Sequence, residues 1–138
     1  MAGRMEVLCP ISLGEALDKL SILRIKLARI ADPAKLANVR HELDRLTAAI
    51  GDLQPYQSYL NDFERVNGEL WEIEDNIRRK ELAQEFDAQF VALARSVYRT
   101  NDKRFAIKNA VNRQFASSIV EEKSYEKYEQ PESSARST

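Results

Sequence analysis

Leu13, Leu20 and Leu27 stand seven residues apart, and Ala16, Leu23 and Ile30 fill the intervening heptad positions. Side chains that return at this period lie on one stripe of an α-helix, and so apolar a stripe must be buried against other helices. The spacing recurs in Leu36, Val39, Leu43, Leu46 and Ile50, and again in Tyr59, Phe63, Val66, Leu70, Ile73 and Ile77. The fold class this dictates is all-α, an antiparallel helical bundle with a coiled-coil-like hairpin.

Capping and breaking residues divide the bundle. Ser12 opens S-x-x-E with Glu15, a capping box in which hydroxyl and carboxylate each satisfy an unpaired backbone N–H, so the first helix starts at about residue 13. Asp32-Pro33 ends it, because proline disfavours a helical residue before it yet suits the first turn of a new helix capped by the aspartate. Gly51 supplies the position after the second helix. The first two helices thus form a hairpin, one long kinked helix being the alternative. A third helix is expected over about 56–81, a fourth over about 83–99 with Phe86, Phe90, Leu93 and Val97 on one stripe, and a fifth over about 102–115 with Phe105, Val111 and Phe115. Thr100-Asn101-Asp102 reads as the capped corner between the last two. Ahead of these five helices MEVLCPI, residues 5–11, reads as an extended segment lying across them, with Cys9 as a small buried hydrophobe.

At 138 residues and 43% hydrophobic the chain suffices for one core. One helical domain is expected over residues 1–125, followed at 126–138 by a polar, serine-rich flexible tail with too little apolar surface to offset the entropy of ordering. Basic and acidic residues number 21 and 22, for a net charge of −1, so no overall field draws the protein to nucleic acid. The basic clusters at Arg24, Lys26 and Arg29 and at Arg78, Arg79 and Lys80 are interleaved with acids rather than aromatics, and nucleic acid is not an expected partner. No apolar run approaches the roughly 20 residues of a membrane helix, and MAGRMEVLCPIS is too short in its hydrophobic stretch for a secretory signal, so a cytoplasmic protein without membrane contact is expected.

Catalytic chemistry finds little support. Cys9 and His41 are the only residues of their types and lie far apart, which disfavours zinc and thiol sites. No glycine-rich phosphate loop occurs, and Glu72, Glu74 and Asp75 lack an E-x-x-H partner, so no metal, cofactor or catalytic residue is expected.

The informative residues are polar side chains that helical geometry turns inward. At about 100° per residue Asn67 and Glu74 fall within the arc of Phe63, Leu70 and Ile77; Arg24 falls between Leu13 and Leu17; Lys108 and Asn112 fall among Phe105, Val111 and Phe115. A buried charge is tolerated when paired, so Glu74 is expected to meet Arg24 or Lys108, with the glutamates of EEKSY as the other partners for Lys108. In a helical seam such groups most often fix register; the functional reading is a polar pocket between helices that accepts an anionic ligand.

The segments PISLGEALDKLSILRIKL, NGELWEIEDNIRRKE, FDAQFVALARSVYRTNDKRFAIKNAVN and IVEEKSYEKY resemble an uncharacterised family of small bacterial proteins, over roughly residues 8–128. Matching positions include Asp18, Lys19, Leu70, Trp71, Glu74, Asp75, Arg95, Tyr98, Asn101, Asp102, Lys108, Asn112, Glu121 and Glu122. The resemblance implies no activity; it implies an accessory role beside sugar-transfer or surface-polysaccharide proteins. LRIKLARI followed by a lysine is also distantly similar to the helical chorismate mutases, with Arg24 and Lys35 in the substrate-binding parts, although Pro33 interrupts the long helix of that family. The function expected is therefore a non-catalytic helical interaction module that forms a homodimer. The alternative is a small-molecule-binding protein or enzyme that uses Arg24, Asn67, Glu74, Lys108 and Asn112, with Trp71, Asp75, Arg95, Tyr98, Asn101, Asp102, Glu121 and Glu122 as a second tier.

Overall fold

The computed structural model describes residues 5–128, and among them the elements are α1 (Leu13–Arg29), α2 (Pro33–Ile50), a 3-10 turn (Gln54–Tyr56), α3 (Gln57–Ala83) and α4 (Ala88–Gln114). Ser12 caps α1, its Oγ accepting the Glu15 N–H at 3.1 Å. The capping box stays half closed, because the Glu15 carboxylate turns to Lys108 instead. Asp32 accepts the N–H groups of Ala34 and Lys35 with Pro33 as first helical residue, so α1 and α2 are separate helices and the single kinked helix is ruled out. Gly51 closes α2 at a φ of 85°.

The two pairs of consecutive helices form two hairpins of unequal length. α1 and α2 have 17 and 18 residues, α3 and α4 have 27 each, so the second hairpin is about 40 Å long against about 25 Å for the first. The short hairpin docks through α1 onto the base of the long one. There Leu17, Leu20, Leu60, Phe63 and Val111 are fully buried, with Leu43, Leu46 and Ile50 of α2 and Tyr56, Tyr59 and Phe115 packed around them. α1 is the central helix, touching α2, α3 and α4. Arg29, its last residue, pairs with Glu72 and lies 5.8 Å over the Trp71 ring. Past that level the distal turns of α3 and α4 continue as an arm whose chief packing partner is each other.

The fourth and fifth helices of the sequence reading are one. Thr100-Asn101-Asp102 lies inside α4, which contains neither glycine nor proline. Each residue of the expected corner is used within the continuous helix: Thr100 is buried, Asn101 Oδ1 accepts from Arg104 one turn on at 3.3 Å, and Asp102 accepts the Tyr128 hydroxyl at 2.5 Å. The cap is at Asp87, whose carboxylate accepts the Phe90 N–H at 3.0 Å. Phe86, placed by the sequence on an apolar stripe, sits before the helix and is exposed.

Residues 5–11 are extended but lie outside the core. Glu6 pairs with Arg45 on the outer face of α2 at 2.6 Å, leaving Val7 and Leu8 in solvent and Cys9 exposed rather than buried. α4 ends with Ala116 at a φ of 50°, the Ser117 N–H reaching back to the Asn112 carbonyl at 2.9 Å. The chain then returns along α4 as a strap through Tyr128. Residues 129–138, most of the expected flexible tail, lie outside the described residues. No helix among the described residues is long and apolar enough to cross a membrane.

Candidate functional site

α1 carries a second face, of small and short residues, on the flank away from its leucine seam. Gly14 lets α4 approach so closely that a Cβ there would stand 2.6 Å from the Lys108 carbonyl oxygen. Through this gap the Gly14 N–H donates to Asn112 Oδ1 at 2.7 Å. The Leu13 N–H reaches the Ser117 hydroxyl at 3.3 Å, so the exposed donors that begin α1 are met by α4 and the turn after it. Asn112 is 1% exposed, and its Nδ2 has no partner among the described residues.

One turn further along α1, Asp18 is wholly buried and gathers the polar interior around it. Its carboxylate accepts Asn67 Nδ2 of α3 at 2.8 Å and Arg104 Nε of α4 at 2.9 and 3.0 Å, and Lys108 Nζ lies 3.6 Å away. Asn67 Nδ2 also donates to Ser21 Oγ at 2.8 Å, and since both neighbours are acceptors the amide nitrogen must face them. Lys108 Nζ completes its shell with Glu15 at 3.0 Å and Glu121 of the strap at 3.1 Å. Burial works to lower the Lys108 pKa, but the hydrogen bonds to Glu15 and Glu121 and the charge of Asp18 outweigh it, and the net shift is upward. The ammonium is held charged, as a buried cation must be when three carboxylates surround it.

The strap adds contacts along α4. Lys123 Nζ lies 5.0 Å over the Phe105 ring, and Tyr128 stacks edge-on against Tyr98 at 4.8 Å with the Arg99 guanidinium 5.6 Å from its own ring. Tyr98 has its pKa lowered, first by its hydrogen bond with Arg95 and then by Arg99.

The inward set from the sequence divides in two. Asn67, Lys108 and Asn112 are buried, joined to α1 rather than to one another. Arg24 and Glu74 are corrections. Arg24 pairs with Glu64 at 3.1 Å at the margin, since α1 crosses α3 there instead of continuing its seam into the core. Glu74 is exposed and pairs with Arg78 one turn on, because α3 at that level has passed the end of α1 and nothing covers it. The expected pairing of Glu74 with Arg24 or Lys108 is absent; of the anticipated partners Lys108 meets only Glu121. Lys35 is exposed, and with Arg24 tied to Glu64 the two do not form a shared anion pocket. Among the second tier, Trp71, Asp75 and Asn101 line one side of the arm base, Asp102 receives Tyr128, and Glu122 is exposed.

Ser21 and Arg104 were missed, and Asp18, matched to the family pattern, was not among the side chains turned inward. The leucine seam of α1 points elsewhere, and a wheel drawn from it turns Asp18 outward. The available signal was the row Gly14, Asp18, Ser21, whose short side chains at helical spacing mark a second close helix contact.

No group of three or more His, Cys, Asp or Glu placed to hold a metal occurs among the described residues. The sequence model of the family described as "Family of unknown function (DUF6165)" matches residues 7–137, nearly the whole chain, and the chain belongs to that family. No curated protein and no solved structure gives a significant match to the chain.

Proposed function

We propose that this member of a family of unknown function is a non-catalytic interaction module that self-associates through the arm of α3 and α4. The observation that carries the reading is the uncovered apolar tip of the arm: Leu82 is 87% exposed, Phe86 54% and Val91 52%. The buried charges, by contrast, are paired with one another, which suits scaffolding better than turnover.

A second copy is the occupant that fits the arm. Glu85 and Asp87 at its tip are already answered by Lys80 of the same hairpin, so what the tip leaves unmet is apolar. Two arms laid antiparallel about a two-fold axis cover each other's exposed Leu82, Phe86 and Val91, and the half-buried Ile73, Ile77, Leu93 and Val97 gain the neighbours they lack. The result is a four-helix bundle of ordinary geometry. Sedimentation equilibrium at tens of micromolar checks it: wild type is expected as a dimer and Phe86→Glu as a folded monomer. A monomeric wild type refutes the self-association. The family resemblance supports a place in the bacterial cytoplasm as accessory to a sugar-transfer system; affinity purification from the native cell without such a protein among the partners removes that part.

A further inference from the structure

On the side of the α3–α4 ribbon where α1 ends, a cleft of about 460 Å³ opens at the base of the arm. Its floor is the edge of the buried polar network: Arg104 is anchored on Asp18, and Asn67 spends its Nδ2 on Asp18 and Ser21 while its Oδ1 accepts no hydrogen bond from the described residues. Asn67 lines the cleft, so this oxygen is an acceptor within a ligand's reach. Ile22, Ile25 and Leu70 make the apolar wall, with the Trp71 indole between floor and rim.

Charge selects the ligand. Arg104 is answered by Asp18 and Arg78 by Glu74, but Asp75 is half-buried at the rim with no cationic partner among the described residues. Asp75 is thus the lining carboxylate left without an ion pair, and it stands beside an aromatic ring, the combination that recognises an organic ammonium. Asn67 and Asp75 are eight residues apart on α3, two turns or about 12 Å, with Trp71 midway. We propose that this cleft binds an elongated primary amine, its ammonium on Asp75, its alkyl chain along Trp71 and Ile25, and a hydroxyl-like polar end donating to Asn67 Oδ1. A five-carbon chain with hydrogen bonds of about 2.9 Å at both ends covers that gap. Asn101, whose Oδ1 is taken by Arg104, has its Nδ2 left for the lone pairs of the same polar end.

Trp71 is the protein's only tryptophan, so its emission reports this cleft alone. The experiment titrates 5-aminopentan-1-ol hydrochloride into the full chain at fixed ionic strength, following Trp71 fluorescence and the Asn67 side-chain amide resonances, with pentan-1-ol and sodium pentanoate as controls. The expected result is a saturable response to the amino alcohol, none to pentanoate, and affinity at least about tenfold weaker in Asp75→Asn. An equal response to pentanoate, no saturation up to about 50 mM, or an undiminished response in folded Asp75→Asn overturns the proposal. The Asn67 resonances are read on wild type, so a variant that fails to fold leaves the test decisive. Repeating the titration on Phe86→Glu separates it from self-association, since the cleft is complete within one chain.

Discussion

A carboxylate with no exposure must have its charge answered on the spot, and Asp18 receives Asn67, Arg104 and Lys108 from two other helices. Replacing it with alanine leaves the Arg104 guanidinium without its principal anchor and Asn67 without its acceptor, a loss of about 3–5 kcal/mol. The expected outcome for Asp18→Ala is a melting temperature lower by roughly 10 °C or more, read by circular dichroism. Glu74→Ala is the contrasting case. Its carboxylate sits in an exposed pair with Arg78 on the same helix, and removing it is expected to change stability by less than about 0.5 kcal/mol. A large effect there would return Glu74 to the interior. Gly14→Ala tests the close contact directly: the new Cβ meets the Lys108 carbonyl oxygen at 2.6 Å and Cα at 2.9 Å, backbone atoms that cannot turn aside. Forcing α1 from α4 is expected to cost about 1–3 kcal/mol and to weaken the Gly14–Asn112 hydrogen bond, a shift visible in that amide's resonance.

Among the elements, α1 and α2 were legible because their ends carry strong local chemistry, and α3 because its apolar period is long. Ser12, Asp32-Pro33 and Gly51 stop or start a helix whatever surrounds them, and the apolar period between them is unbroken. α4 was misread at Thr100-Asn101-Asp102 because a polar triplet resembles a cap when its tertiary partners are unknown; Arg104 and Tyr128 supply those partners. The site divides the same way. Asn67, Lys108 and Asn112 interrupt apolar stripes and so stand out, whereas Asp18 lies on a face whose burial depends on where a long hairpin docks. Helix ends also retain strain open to test. Gln84 closes α3 at a φ of 57°, in a turn where Glu85 N–H reaches the Lys80 carbonyl at 2.9 Å, and a side chain in that left-handed conformation costs about 1 kcal/mol. Gln84→Gly is expected to raise the free energy of unfolding by about 0.5–1 kcal/mol, read as a higher urea midpoint, since only glycine adopts that φ freely.

Across the whole molecule, Lys108 is where three parts meet: α4 carries it, Glu15 and Asp18 bring α1, and Glu121 brings the strap. The short hairpin is therefore fastened to the long one by a cation as well as by the leucine core. Lys108 has its pKa raised above 10.5, so folding favours its protonated form. A group shifted in this direction contributes its full stability below the unfolded pKa and loses it as pH rises through the folded value. The consequence lies on the alkaline side: stability from this junction holds through neutral pH and declines above about pH 10.5. Tyrosines and other lysines titrate in the same range, so the measurement is a comparison. Urea unfolding at a series of pH values from 8 to about 11.5 is expected to show a steeper alkaline fall for wild type than for Lys108→Gln, which starts less stable because Glu15, Asp18 and Glu121 then face one another without the cation. The two curves should converge as wild-type Lys108 deprotonates. Parallel curves would show that the ammonium's charge is not what joins the hairpins, and that its alkyl chain alone accounts for the burial.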